Sequence, residues 1–267
     1  MAGVMERTLG ILELLAREGE GLPLAVIAER QSMPRSAAHR LLTDLGRYGY
    51  VRQVREQGDY MLTTKLVSLG LGFLGEMGIL DAAQPLLDRL AEQSGELVRL
   101  AVVDGRCLTW VAKAQGATRG LRYDPDMGAV AKLSCSSSGL AWLATLSDEA
   151  ALELVAEQGF GNVEEYGPNA PTTVSALLEA LRETRARGFS LTVETFAPGM
   201  NAIAAPVRRG EQAAIGTLSI AGPSIRFTEA RMLALGDELL EVADELAASA
   251  SASSLLRAGR PTTASQL

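Results

Sequence analysis

The chain has 267 residues, 47% hydrophobic and 21% charged, the balance of an ordinary folded protein and not of a disordered one. It holds no run of about 18 uncharged apolar residues, so a membrane-spanning helix is excluded, and two domains are expected from the length alone. The net charge of −7 argues against a uniformly basic nucleic-acid coat, yet Arg30, Arg35, Arg40, Arg47, Arg52 and Arg55 face Asp44 alone between residues 30 and 55.

Residues 4–18 place Val4, Leu9, Ile11, Leu12, Leu14 and Leu15 on a helical stripe, closed by Gly19 and Gly21. A second short helix is predicted over 23–31 with Pro23 at its start, and a turn over Ser32-Met33-Pro34 with Ser32 as the N-terminal cap of the next helix. That third helix spans 35–47, with Leu41, Leu42 and Leu45 inward. Two short alternating runs around a polar, Gly-containing turn then read as a hairpin over 50–63. Helix, helix, turn, helix and hairpin in this order is the order of a winged helix-turn-helix. Helices are predicted at 65–77 and 79–94, and a hairpin over 97–113 turning at Asp104-Gly105. Residues 120–125 read as a further strand. Helices follow at 136–146, 148–158 and 172–187, the last opened by Thr172 or Thr173. Strands are predicted at 189–194, 201–207 and 213–221, and one long helix at 228–250. A small, polar tail from 251 to 267 reads as flexible.

In a helix-turn-helix, the second helix of the motif enters the major groove and its early residues reach base edges. Here those are Arg35, Ser36, His39 and Arg40, with Thr43 one turn on, and the wing offers Arg52, Arg55 and Gln57 to the backbone or minor groove. Charge alone is equally well explained by a solvated Arg-rich face; the order of elements favours DNA. His39 is the single histidine, so neither a histidine-rich metal site nor Ser-His-Asp or Cys-His catalysis can be assembled. No metal, cofactor or catalytic residue is expected. The run Ser134-Cys135-Ser136-Ser137-Ser138-Gly139 is not a nucleophile elbow, and its hydroxyls and amides read as a helix cap or a small-anion site. Cys107 and Cys135 are expected as reduced thiols, and Cys135 as inert.

Several segments together carry a resemblance: RTLGILELLA, MPRSAAHRLLTDLGRYGYV with GDYMLTTKLVSLG, VRLAVVDGRCLTWVAK, SSSGLAWLATLSDE, RARGFSLTVETFAPGMNAIAAPV and GTLSIAGPSIRFT. In this order they resemble the IclR family of bacterial transcription regulators, from about residue 5 to about residue 248. The resemblance implies an α+β chain: a winged helix-turn-helix over 1–64, a linker helix over 65–80 and a GAF-like effector-binding domain over 81–250. It implies a cytoplasmic homodimer, pairing further into homotetramers, on double-stranded operator DNA, with a small organic acid or aromatic catabolite as effector. It implies an effector site at Met127, Gly128 and Ala129, at Ser134, Cys135 and Ser136, at Asn201 and Ala202, and at Ser219 and Ala221.

The chain departs from the family pattern at three of its positions. Ala202 and Ala221 stand where cysteine and serine are common, which removes two polar ligand contacts, and Ala37 replaces a threonine or serine of the reading helix. Trp110, Tyr123 and Trp142 add aromatic surface that suits a larger or aromatic effector, Trp142 reading rather as core. Effector binding is expected to act on the DNA-reading helices through the 65–94 helices. The rivals are an enzyme in the α+β domain, against which the single histidine stands, and a nonspecific DNA-binding protein.

Overall fold

Apolar periodicity and local backbone chemistry account for the elements of the first part of the chain. A computed structural model describes residues 3–55, 58–77, 79–123, 125, 128–162 and 164–249. The chain divides into two compact units, Met1–Glu76 and Met77–Leu267. In the first, helices α1 (Val4–Ala16), α2 (Leu24–Arg30) and α3 (Arg35–Arg47) are followed by strands β1 (Val51–Gln53) and β2 (Tyr60–Leu62) and by helix α4 (Lys65–Met77). Ile11, Leu15, Ile27, Ala38, Leu41, Leu42, Leu45, Val51 and Tyr60 form one buried cluster, which is how three short helices and a two-stranded ribbon hold together. Leu22 exchanges backbone hydrogen bonds with Tyr60, so the α1–α2 connection pairs with the ribbon.

The cap of α3 differs from its prediction. Ser32 sits at φ 48° inside the turn, and the N-cap is Pro34, with no side-chain cap. Proline already fixes an extended φ there, and the Met33 amide bonds back to Ala28, which pulls Ser32 out of capping position.

The second unit is a five-stranded antiparallel sheet in the order β4-β3-β7-β6-β5, with β3 (Leu97–Asp104), β4 (Cys107–Gln115), β5 (Ser190–Val193), β6 (Met200–Val207) and β7 (Gly216–Pro223). Helices α5 (Ile79–Ser94), α9 (Glu229–Ala234) and α10 (Gly236–Ser249) cover one face, burying Leu87, Leu90, Phe227, Met232, Leu239 and Val242 against Val98, Leu100, Ile203, Leu218 and Ile220. Helices α6 (Ser137–Leu143), α7 (Asp148–Gln158) and α8 (Val174–Arg187) cover the other, with Trp142, Leu143, Leu154 and Leu177 against Ala101, Leu108 and Trp110. Trp142 is core, as its place in a helix suggested.

Three further readings are corrected. The single helix predicted over 228–250 is two, because Leu235 ends α9 and Gly236 begins α10 at the ring of Phe189, where a Cβ would lie 2.5 Å from ring carbons. In the β3–β4 hairpin Asp104 pairs with Cys107, so the two turn residues are Gly105 and Arg106 and not Asp104 and Gly105. Gly105 carries the positive φ, 59°, at the first turn position, as a type II′ turn requires. The strand predicted over 120–125 does not form among the described residues.

Helix α8 starts where Thr173 accepts a hydrogen bond from the Ala176 amide at 3.2 Å. Thr173→Ala is expected to cost about 1 kcal/mol of stability, the usual worth of such a cap, measured by urea denaturation of the full chain.

Candidate functional site

Two places gather functional side chains, one in each unit. On α3, the inward stripe Ala38, Leu41, Leu42 and Leu45 leaves Arg35, Ser36, His39, Arg40 and Thr43 exposed on the opposite side. Helical spacing lets most of these five share one exposed face, and the helix presents all of them to solvent. Thr43 donates its hydroxyl proton to the His39 carbonyl at 2.8 Å, so toward a ligand its oxygen serves as an acceptor. No side chain caps the N-terminus of α3, which leaves first-turn amides open to an outside acceptor. Arg52 and Arg55 are exposed on and beside β1; Gln57 lies outside the described residues. Not every arginine of the basic cluster is available. Arg30 pairs with Glu18 at 2.5 Å, and Arg47 packs over the Tyr48 ring and donates to its hydroxyl. Arg35, Arg40, Arg52 and Arg55 form no ion pair with a carboxylate among the described residues.

In the second unit a cavity opens between the sheet and α6. Its walls are Arg99, Trp110, Tyr123, Ser136, Ser137, Thr192, Phe196, Met200, Asn201, Ala202 and Ala221. About 320 Å³ of it is free of atoms, its open mouth included, but the centre of a water molecule has only about 20 Å³ to move in, so the space is narrow. Arg99 on β3 lines it. This side chain is 4% exposed, and its Nε and Nη1 are buried with no hydrogen-bond partner among the described residues. The guanidinium lies over Trp110 at 3.9 Å from the ring centroid and 5.9 Å from that of Tyr123. Burial pulls its pKa down to about 10, the Tyr123 phenol raising it slightly against that trend, so at neutral pH it is a buried cation. Trp110 donates its indole N–H to Ser138 Oγ at 3.3 Å and meets Phe196 edge-on, with centroids 5.9 Å apart.

A backbone irregularity puts Trp110 there. Between Leu100 and Ala101 the β3–β4 register slips, Leu100 opposing Ala112 and Ala101 opposing Trp110. Ala112 and Ala114 therefore join the core under α5, while Leu108 and Trp110 join the core under α6. Without the slip, Trp110 would share the face of Ala112 and point away from the cavity.

The effector residues implied by resemblance divide. Ser136, Asn201, Ala202 and Ala221 line the cavity. Asn201 does so while its amide is anchored elsewhere, donating to the Phe227 carbonyl at 2.8 Å. Ser136 caps α6, accepting from the Gly139 amide at 3.0 Å and donating to the Lys132 carbonyl at 2.7 Å. Gly139 is itself required: a Cβ there would sit 2.4 Å from the Leu133 carbonyl oxygen. Ser134, Cys135 and Ser219 do not line the cavity. Ser134 Oγ accepts from the Gly161 amide, and Ser219 Oγ reaches the Arg99 carbonyl. The Cys135 sulfur lies beside Gly161, and burial pushes its thiol up to about 12, which makes it a poor nucleophile. Gly128 and Ala129 are exposed and bond through their backbone to Trp110, outside the lining; Met127 lies outside the described residues. Missed in the sequence were Arg99, Ser137, Thr192, Phe196 and Met200. For Arg99 a signal existed: it is the one charge inside the apolar run 97–103.

Among the described residues no cluster of His, Cys, Asp and Glu could hold a metal, and no helix is long and apolar enough to cross a membrane.

Both parts of the chain match families known from other proteins. Residues 4–55 match the family described as IclR helix-turn-helix domain, and residues 72–248 the one described as bacterial transcriptional regulator IclR C-terminal. The chain is 31% identical over 245 residues to the transcriptional repressor IclR of Escherichia coli, covering 91% of this chain and 88% of that one. It is 31% identical over 242 residues to the HTH-type transcriptional regulator BhcR of Paracoccus denitrificans, covering 91% and 85%. Among solved structures, an IclR homolog from Microbacterium hydrocarbonoxydans complexed with 4-hydroxybenzoate superposes with TM-score 0.78 at 22% identity, over 94% of this chain and 100% of that one.

Proposed function

The chain belongs to the IclR family of bacterial transcriptional regulators, with an N-terminal helix-turn-helix and a C-terminal effector domain, and from that premise we propose how it reads DNA and senses its effector. Helix α3 enters the major groove. Arg35 and Arg40 read guanine edges, Ser36, His39 and Thr43 contact bases or phosphates, and Arg52, Arg55 and Gln57 of the wing hold the backbone. The observation that supports this is the exposed face of α3, where two arginines without an ion pair among the described residues stand opposite a buried leucine stripe. The uncapped α3 N-terminus adds amides that favour a phosphate.

The effector binds in the cavity walled by Ser136, Asn201, Ala202 and Ala221, and it is a small organic acid or aromatic catabolite, 4-hydroxybenzoate being the ligand bound by the homolog from Microbacterium hydrocarbonoxydans. Gly128, Ala129, Ser134, Cys135 and Ser219 support the cavity wall from behind, with Met127 beside them in sequence. The protein works in the cytoplasm as a homodimer or a pair of dimers on a palindromic operator, and it catalyses no reaction. Its DNA module spans 1–64 and its effector module 81–250, joined by the 65–80 helix. Effector and operator affinities are coupled and, by linkage, each changes the other by the same factor.

Arg40→Ala is expected to weaken binding to the DNA just upstream of the protein's own gene by roughly 10- to 100-fold, the worth of one bidentate base contact, in a gel-shift titration at fixed salt. Binding to random DNA should change far less. Equal affinity of the wild type for the upstream and random fragments would refute specific reading.

A further inference from the structure

Resting on the reading that this cavity holds the effector, we propose that Arg99 is the anchor for the effector's negative charge, and that the cavity selects a flat monocarboxylate. A guanidinium taken out of water loses its hydration, and proteins ordinarily compensate by pairing it with a carboxylate. Among the described residues none pairs with Arg99, and its Nε and Nη1 find no acceptor at all. A carboxylate meets a guanidinium on one of two edges, Nε with Nη2 or Nη1 with Nη2, so a ligand carboxylate would satisfy one orphaned donor and leave the other to a neutral oxygen of the ligand.

The remaining walls narrow the class. Among the described residues Arg99 is the only charged side chain in the lining, so a second negative charge on the ligand would find no second cation there. Trp110, Tyr123 and Phe196 supply aromatic surface around a narrow space, which favours a thin, unsaturated body over a bulky saturated one. Ser137 remains to hold a hydroxyl or carbonyl of the ligand, while Ser136, which has given its proton to the Lys132 carbonyl, can offer only an acceptor. The Thr192 hydroxyl donates to the Ala202 carbonyl at 3.0 Å, so toward a ligand it acts as an acceptor.

The cavity therefore carries a buried cation whose partner arrives with the ligand. Two consequences follow that a merely structural arginine would not share. Replacing it by an uncharged residue of similar length should raise the melting temperature of the ligand-free protein, and the same change should abolish ligand-induced stabilisation.

The test uses the full chain without DNA, followed by intrinsic tryptophan fluorescence and by thermal melting, with benzoate, benzamide and phthalate as probes. Benzoate is expected to bind the wild type at millimolar concentration or below, and benzamide and phthalate at least 10-fold more weakly. Arg99→Gln is expected to lose about 10- to 100-fold in benzoate affinity, the worth of a charge-assisted hydrogen-bonded pair. Arg99→Lys, which keeps the charge and loses the fork, should fall between, and ligand-free Arg99→Met should melt above the wild type. The proposal is overturned if benzamide binds as well as benzoate, if Arg99→Gln binds benzoate undiminished, or if no benzoate binding by the wild type is detected. Titration of the wild type against the upstream fragment and random DNA decides the regulator reading separately, because it needs no effector and no Arg99 variant.

Discussion

Arg226→Ala is expected to lower the melting midpoint of the effector unit by roughly 6–20 °C, from a loss of about 3–5 kcal/mol when one partner of a buried ion pair is removed, at about 2–4 °C per kcal/mol for a unit of this size. Glu96 is 1% exposed and receives both arms of Arg226, Nε at 2.7 Å and Nη2 at 2.8 Å. Among the described residues the only other cation against it, Arg231, stands at 3.8 Å. Removing Arg226 therefore strands a carboxylate that cannot reach water, since Gly222 packs directly on it and a Cβ there would lie 2.4 Å from its Oε2. Arg226 also ties down the segment that carries Tyr123, donating from Nη1 to the Leu121 carbonyl at 2.6 Å.

The reverse substitution is milder. Glu96→Gln leaves an arginine whose side chain is already 30% exposed and can be hydrated, so it should cost clearly less. Differential scanning calorimetry of both variants checks the asymmetry. If Arg226→Ala melted like the wild type, Arg231 would have to swing in and replace it.

Leu42→Ala is expected to destabilise the DNA-reading unit by about 2–5 kcal/mol, the range for a buried leucine cut back to alanine. Leu42 is 1% exposed and lies in the cluster with Ile11, Leu15, Ile27 and Leu45. The unit is small, and a fold of that size has only about 5–15 kcal/mol in hand, so the loss is a large part of its stability. Operator binding should fail at temperatures where the wild type still binds, while the melting of the Met77–Leu267 unit stays where it was. Two calorimetric transitions, only the first displaced, would be the observation in favour. A shift of both would mean that the two units unfold together.

Much of the molecule was legible before any coordinates. The order of helices and the ribbon in the first unit follows from short-range signals: a 3.6-residue apolar stripe, prolines before helices, and a polar turn between alternating runs. Those signals act within a few residues, which is why the ends of α3, α5 and α7 fall at or within a residue of their expected places. The face of α3 was equally readable, because a helix with one buried stripe has only one side left for charged residues.

The cavity was not. Along 107–115 the burial alternates without a break, Leu108, Trp110, Ala112 and Ala114 all buried, and nothing in that pattern marks the point where the strand changes faces. Both faces of the sheet are covered by helices, so both are apolar, and a one-residue slip leaves no trace in hydrophobicity. The same cause hid the fates of the Ser-rich segment. Local sequence places hydroxyls at the start of α6, but whether each faces the cavity or a backbone amide depends on residues far along the chain. Gly161 takes Ser134 and Thr195 reaches the Cys135 carbonyl at 2.6 Å, both from far along the chain; Ser136 is the exception, held by the nearby Lys132 carbonyl and Gly139 amide.

What the amino-acid order determined by itself was thus the set of elements, the class of fold and the exposed reading face, all products of local periodicity. What only the tertiary structure decided was which side chains meet across the sheet. Arg99, Trp110 and Tyr123 converge on one cavity because a register slip between β3 and β4 turns Trp110 onto the face that already carries Arg99. Strand register is a property of pairing between distant segments, and no single segment encodes it.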